Sequence, residues 1–106
     1  MTGIVAFVPD LMDRSRLGNR PIEVVADLDQ LASAAAGATL VVVDLARAGA
    51  LTSAASIVAA GTRVVGYAPH VDDDLRRAAA ASGVEVVTRS RFFGHLDEVL
   101  GLDRPD

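Results

Sequence analysis

The stretch "TLVVVDLARAG", residues 39–49, decides how this chain is interpreted. Its apolar residues 40–43 are followed by Asp44, at the point where a strand should pass into a loop. A short apolar run rich in β-branched residues predicts a strand that is covered on both faces. The carboxylate at its end could be a cap, a metal ligand or a phosphoryl acceptor, and each possibility implies a different kind of protein.

Similar apolar runs recur along the chain, with helical stretches between them. The predicted strands are residues 3–8, 22–26, 39–43, 63–67 and 85–88. Strands that alternate with helices are joined by right-handed crossovers and form a parallel sheet. For a chain this short we predict an α/β fold, a flavodoxin-like three-layer sandwich with strand order 2-1-3-4-5.

The helices are predicted to begin near Asp10, Leu28, Leu51, Asp72 and Ser90. The first crossover, residues 9–21, contains Pro9, Gly18 and Pro21, so it leaves at most about two helical turns at about 3.6 residues per turn. We therefore predict a shortened first crossover helix. Either Leu11, Met12 and Leu17 cover this part of the sheet with help from other side chains, or apolar surface stays exposed for a partner or a second copy.

The composition of the 106 residues narrows the possible functions. We predict a single domain over residues 1–102 and a frayed tail at residues 103–106. The chain has neither cysteine nor lysine, which excludes disulfides, thiolate metal sites, thiol nucleophiles and Schiff-base lysines. No apolar run approaches the ~18 residues of a membrane span, and no signal-peptide pattern is present, so we expect a cytoplasmic protein without membrane contact. A net charge of -4 argues against a nucleic-acid partner.

Polar residues follow the predicted strands, at the edge where parallel α/β sheets bind ligands. Asp10 and Asp13 follow the first strand, Asp44 follows the third, and Arg89 and Arg91 follow the fifth. The first and third strands are neighbours in the predicted order, so Asp10 and Asp44 should approach each other. Carboxylates at such an edge can hold Mg²⁺ or form an acyl phosphate.

The chain resembles a response-regulator receiver domain, of the CheY-like family, over nearly its whole length. The resemblance rests on the acid after the first strand, "VVVDL" at the third, "VVGYAPHVDDDLRRAAAASG" in place of a fourth strand and helix, and "VVTRSRF" at the fifth. It implies that Asp44 takes the position of the phosphoryl acceptor. Asp10, with Asp13, takes that of the acidic metal-binding pair.

The chain departs from the family pattern at the residues that act on the phosphoryl group. The family's two acids are adjacent, whereas Asp10 and Asp13 are not. The hydroxyl residue of the family would fall at Ala68 or Pro69, and its lysine is replaced by an arginine, which lacks the compact ammonium. These departures predict a degenerate stand-alone pseudo-receiver. Such a protein is a non-catalytic signalling module that needs no cofactor and that contacts a protein partner or a second copy of itself.

The alternative is a working response-regulator domain that is phosphorylated at Asp44, with Mg²⁺ held by Asp10 and Asp44. Under the first interpretation, Asp44 is an inherited carboxylate held by Arg89, by Arg91 or by backbone N–H groups of the loop above it. A small hydrolase on the same sheet is a weaker third possibility, because the chain has no "GxSxG" nucleophile elbow.

Some other polar and aromatic residues could either contact a ligand or partner or have a purely structural role. Arg14, Ser15 and Arg16 could join Arg89 and Arg91 in contacting an anion, or could neutralise the neighbouring acids. His70 is expected in a loop and His95 on an exposed helix position. One of Phe92 and Phe93 should be in the core, and the other could form an apolar stripe with Leu96 and Val99 on the last helix.

Overall fold

The structure, a computed structural model, describes residues 3–102. Residues 1–2 and the predicted tail at residues 103–106 lie outside the described part. The strands are β1 (Ile4–Phe7), β2 (Ile22–Val25), β3 (Leu40–Asp44), β4 (Val64–Ala68) and β5 (Glu85–Thr88). The helices are α1 (Leu11–Arg16), α2 (Leu28–Ala35), α3 (Ala50–Ala59), α4 (Asp73–Ala81), α5 (Arg89–Gly94) and α6 (Leu96–Leu100).

All strand pairs are parallel, and the order across the sheet is β2-β1-β3-β4-β5. Helices cover both faces of this sheet. On one face, Leu31 of α2, Ala54 of α3 and Ala79 of α4 pack on the strands. On the other face, Leu17 and Phe92 belong to a separate apolar cluster. The predicted α/β sandwich with order 2-1-3-4-5 is confirmed.

The first crossover helix is shortened, as predicted. α1 has six residues, and Leu17, directly after it, is the apolar side chain that this segment buries, with 3% exposed. Leu11 and Met12 are 73% and 78% exposed. Of the two alternatives for this crossover, the structure therefore shows exposed apolar surface at α1.

Aromatic rings fill the core beside the short helix. Tyr67 of β4 stacks on Phe92 with ring centroids 4.8 Å apart, and Phe93 meets both rings edge-on, at 5.2 Å from Tyr67 and 4.9 Å from Phe92. Phe92 and Phe93 are both buried, whereas one of them was expected in a stripe on the last helix. Leu96 is buried as well and Val99 packs against the same cluster, so this stripe belongs to the core.

The last helical segment is divided in two. α5 ends at Gly94, and the exposed His95 has φ of -137° and ψ of 43°, outside the helical region, before α6 begins. His95 is thus exposed as expected, but it lies at a break between helices. The break lets Phe92 and Phe93 of α5 and Leu96 of α6 face the same core.

Gly66, in the middle of β4, leaves no room for a side chain. A Cβ atom there would lie 2.6 Å from Cδ1 of Leu45, which is itself 2% exposed and cannot move into solvent. We expect Gly66→Ala to lower the free energy of unfolding by about 2 kcal/mol, measured by urea denaturation. Gly94→Ala is the control, since nothing lies within 4 Å of a Cβ at Gly94. Equal stability of the two variants would contradict the tight contact.

Candidate functional site

Acidic and arginine side chains gather where β1, β3 and β5 end. Asp44 is the last residue of β3 and is 7% exposed. Asp10 precedes α1 and Asp13 lies in its first turn, where it is 3% exposed. Arg89 opens α5, directly after β5. We call the group formed by Asp10, Asp13, Asp44 and Arg89 the acidic pocket, and each of its three carboxylates already has a partner.

Asp10 caps α1. Its Oδ1 accepts hydrogen bonds from the backbone N–H groups of Met12 at 2.9 Å and Asp13 at 3.0 Å. These bonds, that from Asp13 first, hold the pKa of the Asp10 carboxyl below its ordinary value, and the charges of Arg47 and Arg89 act in the same direction. The carboxylate is therefore ionised and committed to the start of the helix.

Asp13 forms an ion pair with Arg89. Nη2 of Arg89 donates to Oδ1 of Asp13, which joins α1 to α5 across the pocket. The Asp13 side chain is 4% exposed and that of Arg89 is 45% exposed, so the arginine reaches in from the surface. Its guanidinium carbon also lies 5.2 Å from the centre of the Phe93 ring, within the range of a cation–π contact.

Asp44 is held by the loop that follows β3. Its Oδ1 accepts from the N–H of Ala46 at 3.1 Å, and Nε of Arg47 lies 3.4 Å from its Oδ2. The expected backbone N–H group of the loop is that of Ala46, but the arginine that pairs with Asp44 is Arg47, whereas Arg89 or Arg91 was expected. Sequence analysis did not single out Arg47, although it stands three residues after Asp44 in the opening stretch.

Arg91 does not enter the acidic pocket. Its Nη2 lies 3.5 Å from Oε2 of Glu98 on α6, and its backbone N–H donates to Oγ1 of Thr88, the cap of α5, at 3.2 Å. The expectation that Arg91 serves as a pocket arginine is therefore wrong for this arrangement. Arg91 lies two residues beyond Arg89 on the short helix α5, and α6 packs next to it and supplies a closer carboxylate.

The residues expected to contact an anion turn to different partners. Nε of Arg14 lies 3.4 Å from the carbonyl oxygen of Val8, and Oγ of Ser15 donates to the carbonyl of Met12 at 2.9 Å. The Arg16 guanidinium stacks 4.8 Å from the centre of the Phe93 ring. Arg16 thus shares the Phe93 ring with Arg89, whereas Arg14, Ser15 and Arg91 turn to other partners.

The carboxylates of the pocket contact N–H groups and arginines in this arrangement. Within residues 3–102, no three acidic or histidine side chains are grouped so that they could hold a metal ion. Asp10 accepts from two N–H groups, and Asp44 lies beside the Arg47 guanidinium, whose charge opposes a divalent cation. His70 is exposed in the loop after β4, as expected, and the nearby Asp72 caps α4 by accepting from the N–H of Leu75 at 3.1 Å.

Tyr67 is a residue of this site that the sequence analysis missed. It pairs in register with Asp44 across β3 and β4, is 1% exposed, and its hydroxyl has no hydrogen-bond partner among the described residues. Burial, with smaller contributions from the charges of Asp44 and Asp13, raises its pKa well above the ordinary value. The sequence did contain a signal for it. Tyr67 is the single tyrosine, and it directly precedes Ala68, where the hydroxyl residue of the family could fall.

The end of β4 carries no hydroxyl toward Asp44. Ala68, the last residue of the strand, is fully buried, and Pro69 follows it. Thr88, which pairs in register with Ala68 on β5, uses its hydroxyl to cap α5. No side chain at either position is therefore placed to act on a group attached to Asp44.

Comparison with known proteins supports the fold. No protein-family model matches the chain, and no curated protein matches it. The chain is similar to a crystal structure of a CheY-like protein (tadZ) from Pseudomonas aeruginosa PAO1, with a TM-score of 0.67 and 22% sequence identity. The match covers 100% of this chain and 98% of that one. The chain therefore has the CheY-like receiver fold. No helix within residues 3–102 has the length and apolar character needed to cross a bilayer.

Proposed function

We propose that this chain is a receiver-like signalling module that acts through protein contacts and does not use Asp44 for phosphoryl transfer. The ion pair between Arg89 and Asp13 is the observation that carries this proposal. In the family that the sequence resembles, a lysine after the fifth strand would meet the phosphoryl group. Here the residue in that place is an arginine that is already bound to a buried carboxylate.

The surroundings of Asp44 support the same function. A phosphoryl group on Asp44 would need compensating positive charge and hydrogen-bond donors. Arg47 is the cation beside Asp44, and its side chain is 45% exposed, so it is only loosely held there. Ala68 offers no hydroxyl, and Arg89 is committed to Asp13. The residues that would read the phosphoryl group and change position in response are thus absent or engaged.

A pocket that is closed by its own arginine favours one conformation. A ligand shifts a conformational equilibrium only when it binds two conformations with different affinity. Without a phosphoryl group to create that difference, the module presents a constant surface. The large apolar side chains that the described residues expose to a partner are Leu11 and Met12 of α1, next to the pocket, and Val71 in the loop after β4.

The proposal is tested by adding acetyl phosphate with Mg²⁺, and separately beryllofluoride, to the wild-type protein and to Asp44→Asn. Mass spectrometry and amide NMR are the measurements. We expect no phosphoryl adduct, and no spectral change that depends on Asp44. Asp74→Asn, at an acid of α4 whose side chain is 96% exposed, is the matched control for the loss of one carboxylate. An adduct on the wild type that disappears in Asp44→Asn alone would establish the alternative, a working phosphoacceptor.

An Arg89→Lys variant shows whether Arg89 is the residue that prevents phosphoryl transfer to Asp44. Lysine keeps the charge and replaces the planar guanidinium by a compact ammonium. Adduct formation in Arg89→Lys but not in the wild type would support the proposal, because it would assign the loss of phosphoryl transfer to this residue. Adduct formation in both proteins would contradict it.

A further inference from the structure

Two arginines and two acids of the described residues take no part in an ion pair or a helix cap, although Nε of Arg14 lies 3.4 Å from the carbonyl oxygen of Val8 and the Arg16 guanidinium stacks on Phe93. Within residues 3–102, every arginine except Arg14 and Arg16 lies in an ion pair with a carboxylate. Among the acids of the same residues, Glu23 and Asp29 alone neither pair with an arginine nor cap a helix. The two arginines share α1, and the two acids share a groove beside β2.

The two arginines border the exposed apolar surface of α1. Successive helix residues are turned by 100°, so Leu11 and Met12 lie on the side opposite the buried Asp13 and Leu17, and Arg16 lies on the flank of that side next to Met12. Arg14 lies on the other flank of Leu11. We call Leu11, Met12, Arg14 and Arg16 the α1 surface. It combines apolar side chains with positive charge, a combination that is enriched in protein interfaces.

The two acids lie in a shallow groove of about 490 Å³ at the edge of the sheet. We call it the β2 groove; it is lined by Glu23, Val25, Asp29, Gln30, Ser33 and Ala34. Val25 and Ala34 supply an apolar floor, and Ser33 is small enough to admit a side chain from outside. β2 is an edge strand, so no further strand among residues 3–102 covers this side.

We propose that the α1 surface of one copy binds the β2 groove of a second copy, so that the chain forms a symmetric dimer along the β2 edge. Apolar Leu11 and Met12 would meet the floor of the groove, while Arg14 and Arg16 would meet Glu23 and Asp29. The occupant is thus a second copy of this chain, since each uncommitted charge finds its opposite on the same molecule.

The positions of the two surfaces allow a closed dimer. α1 packs on one face of the sheet and α2 on the other, and both helices begin at the carboxyl ends of their preceding strands. A twofold axis parallel to β2 therefore places α1 of each copy beside α2 of its partner. The two helices then lie at the same level along the strand direction. Both contacts form together, as in an isologous interface. This inference rests on the proposed function, because it names the partner of a module that acts through protein contacts.

Charge reversal tests this dimer by sedimentation velocity of the full chain from about 10 μM to about 1 mM. The first variant reverses the α1 surface with Arg14→Glu and Arg16→Glu, and the second reverses the β2 groove with Glu23→Arg and Asp29→Arg. We expect the wild type to dimerise and the dissociation constant of each variant to rise at least about 100-fold. An equimolar mixture of the two variants should form a heterodimer, because both of its contacts are again attractive.

A control variant, Arg63→Glu with Arg77→Glu, has the same net charge as the first variant and should dimerise like the wild type. A monomeric wild type at about 1 mM would overturn the inference. So would variants that still dimerise, or a mixture that stays monomeric. Circular dichroism of each variant verifies that it is folded. None of these results depends on Asp44, so the dimer can fail while the proposed function stands, and an Asp44 adduct would refute that function whatever the oligomeric state.

Discussion

Replacing Arg89 with alanine is expected to lower the free energy of unfolding by about 3 kcal/mol. Asp13 is 3% exposed, and the substitution removes the cation that compensates its buried carboxylate. Because the Arg89 side chain is 45% exposed, water would reach part of the vacated space. The expected decrease in the free energy of unfolding is therefore at the lower end of the range for breaking a buried ion pair. Urea denaturation at neutral pH measures the change.

Two further variants separate the effect of leaving Asp13 without a cation from the effect of losing an arginine side chain. Arg77 pairs with Asp74 on the surface, where the side chains are 74% and 96% exposed, so Arg77→Ala should change stability by at most about 0.5 kcal/mol. The double variant Asp13→Asn with Arg89→Ala should be more stable than Arg89→Ala alone, because it removes the stranded charge. A loss in Arg89→Ala no greater than in Arg77→Ala would refute the importance of the buried pair.

Tyr67→Phe is expected to stabilise the protein by about 1 kcal/mol at neutral pH. The hydroxyl of Tyr67 is buried and has no hydrogen-bond partner among the described residues, while its ring stacks on Phe92 and meets Phe93. The substitution keeps the ring contacts and removes the unsatisfied polar group. A loss of stability in Tyr67→Phe would show that the hydroxyl does have a partner, such as the Asp13 or Asp44 carboxylate.

The effect of Tyr67→Phe should grow at alkaline pH. Burial raises the pKa of Tyr67 in the folded chain, so above a pH of about 10 the unfolded chain releases the phenol proton and the folded chain keeps it. Stability therefore falls as the pH rises. The wild type should lose about 2 kcal/mol between pH ~10 and ~11.5, at about 1.4 kcal/mol per pH unit, and Tyr67→Phe should lack this loss.

Two features of the composition make this titration easy to follow. Tyr67 is the single tyrosine, so phenolate absorbance reports on one residue. The chain has no lysine or cysteine whose proton release would overlap with it. A parallel fall in the stability of the wild type and Tyr67→Phe would show that another group causes the alkaline loss.

The strands and their order were predictable from the sequence because burial on two faces leaves long apolar runs. The differences between the predicted and the observed elements fall at the ends of strands and helices. β3 extends through Asp44, since Asp44 still pairs in register with Tyr67 and the N–H of Leu45 donates to the carbonyl of Tyr67 at 3.0 Å. A polar residue was taken as the end of the strand, but backbone pairing does not depend on polarity. The break at His95 likewise reflects how α5 and α6 meet the core, which local sequence does not encode.

The site was predictable as a group of residues at one edge, but the pairing of its charges was not. Strand order predicts Asp10, Asp13, Asp44 and Arg89 at one edge of the sheet, and the structure places them where β1, β3 and β5 end, with Arg89 in contact with Asp13. Which carboxylate an arginine reaches depends on where the flanking helices lie and on side-chain conformation. The position of α1 brings Asp13 to Arg89, and the loop after β3 brings Arg47 to Asp44. Neither distance follows from residue spacing.

The ion pairs around α1 have a consequence for the kinetics of folding. Asp13 with Arg89 and Arg20 with Asp97 join residues 76 and 77 positions apart, and so connect the first crossover to the last two helices. Closing so long a loop is entropically unfavourable, and it is compensated only when the sheet between the ends has assembled. Contacts that form after the transition state slow unfolding and leave the folding rate nearly unchanged. We therefore expect these pairs, and the buried Asp13–Arg89 pair above all, to slow unfolding more than they accelerate folding.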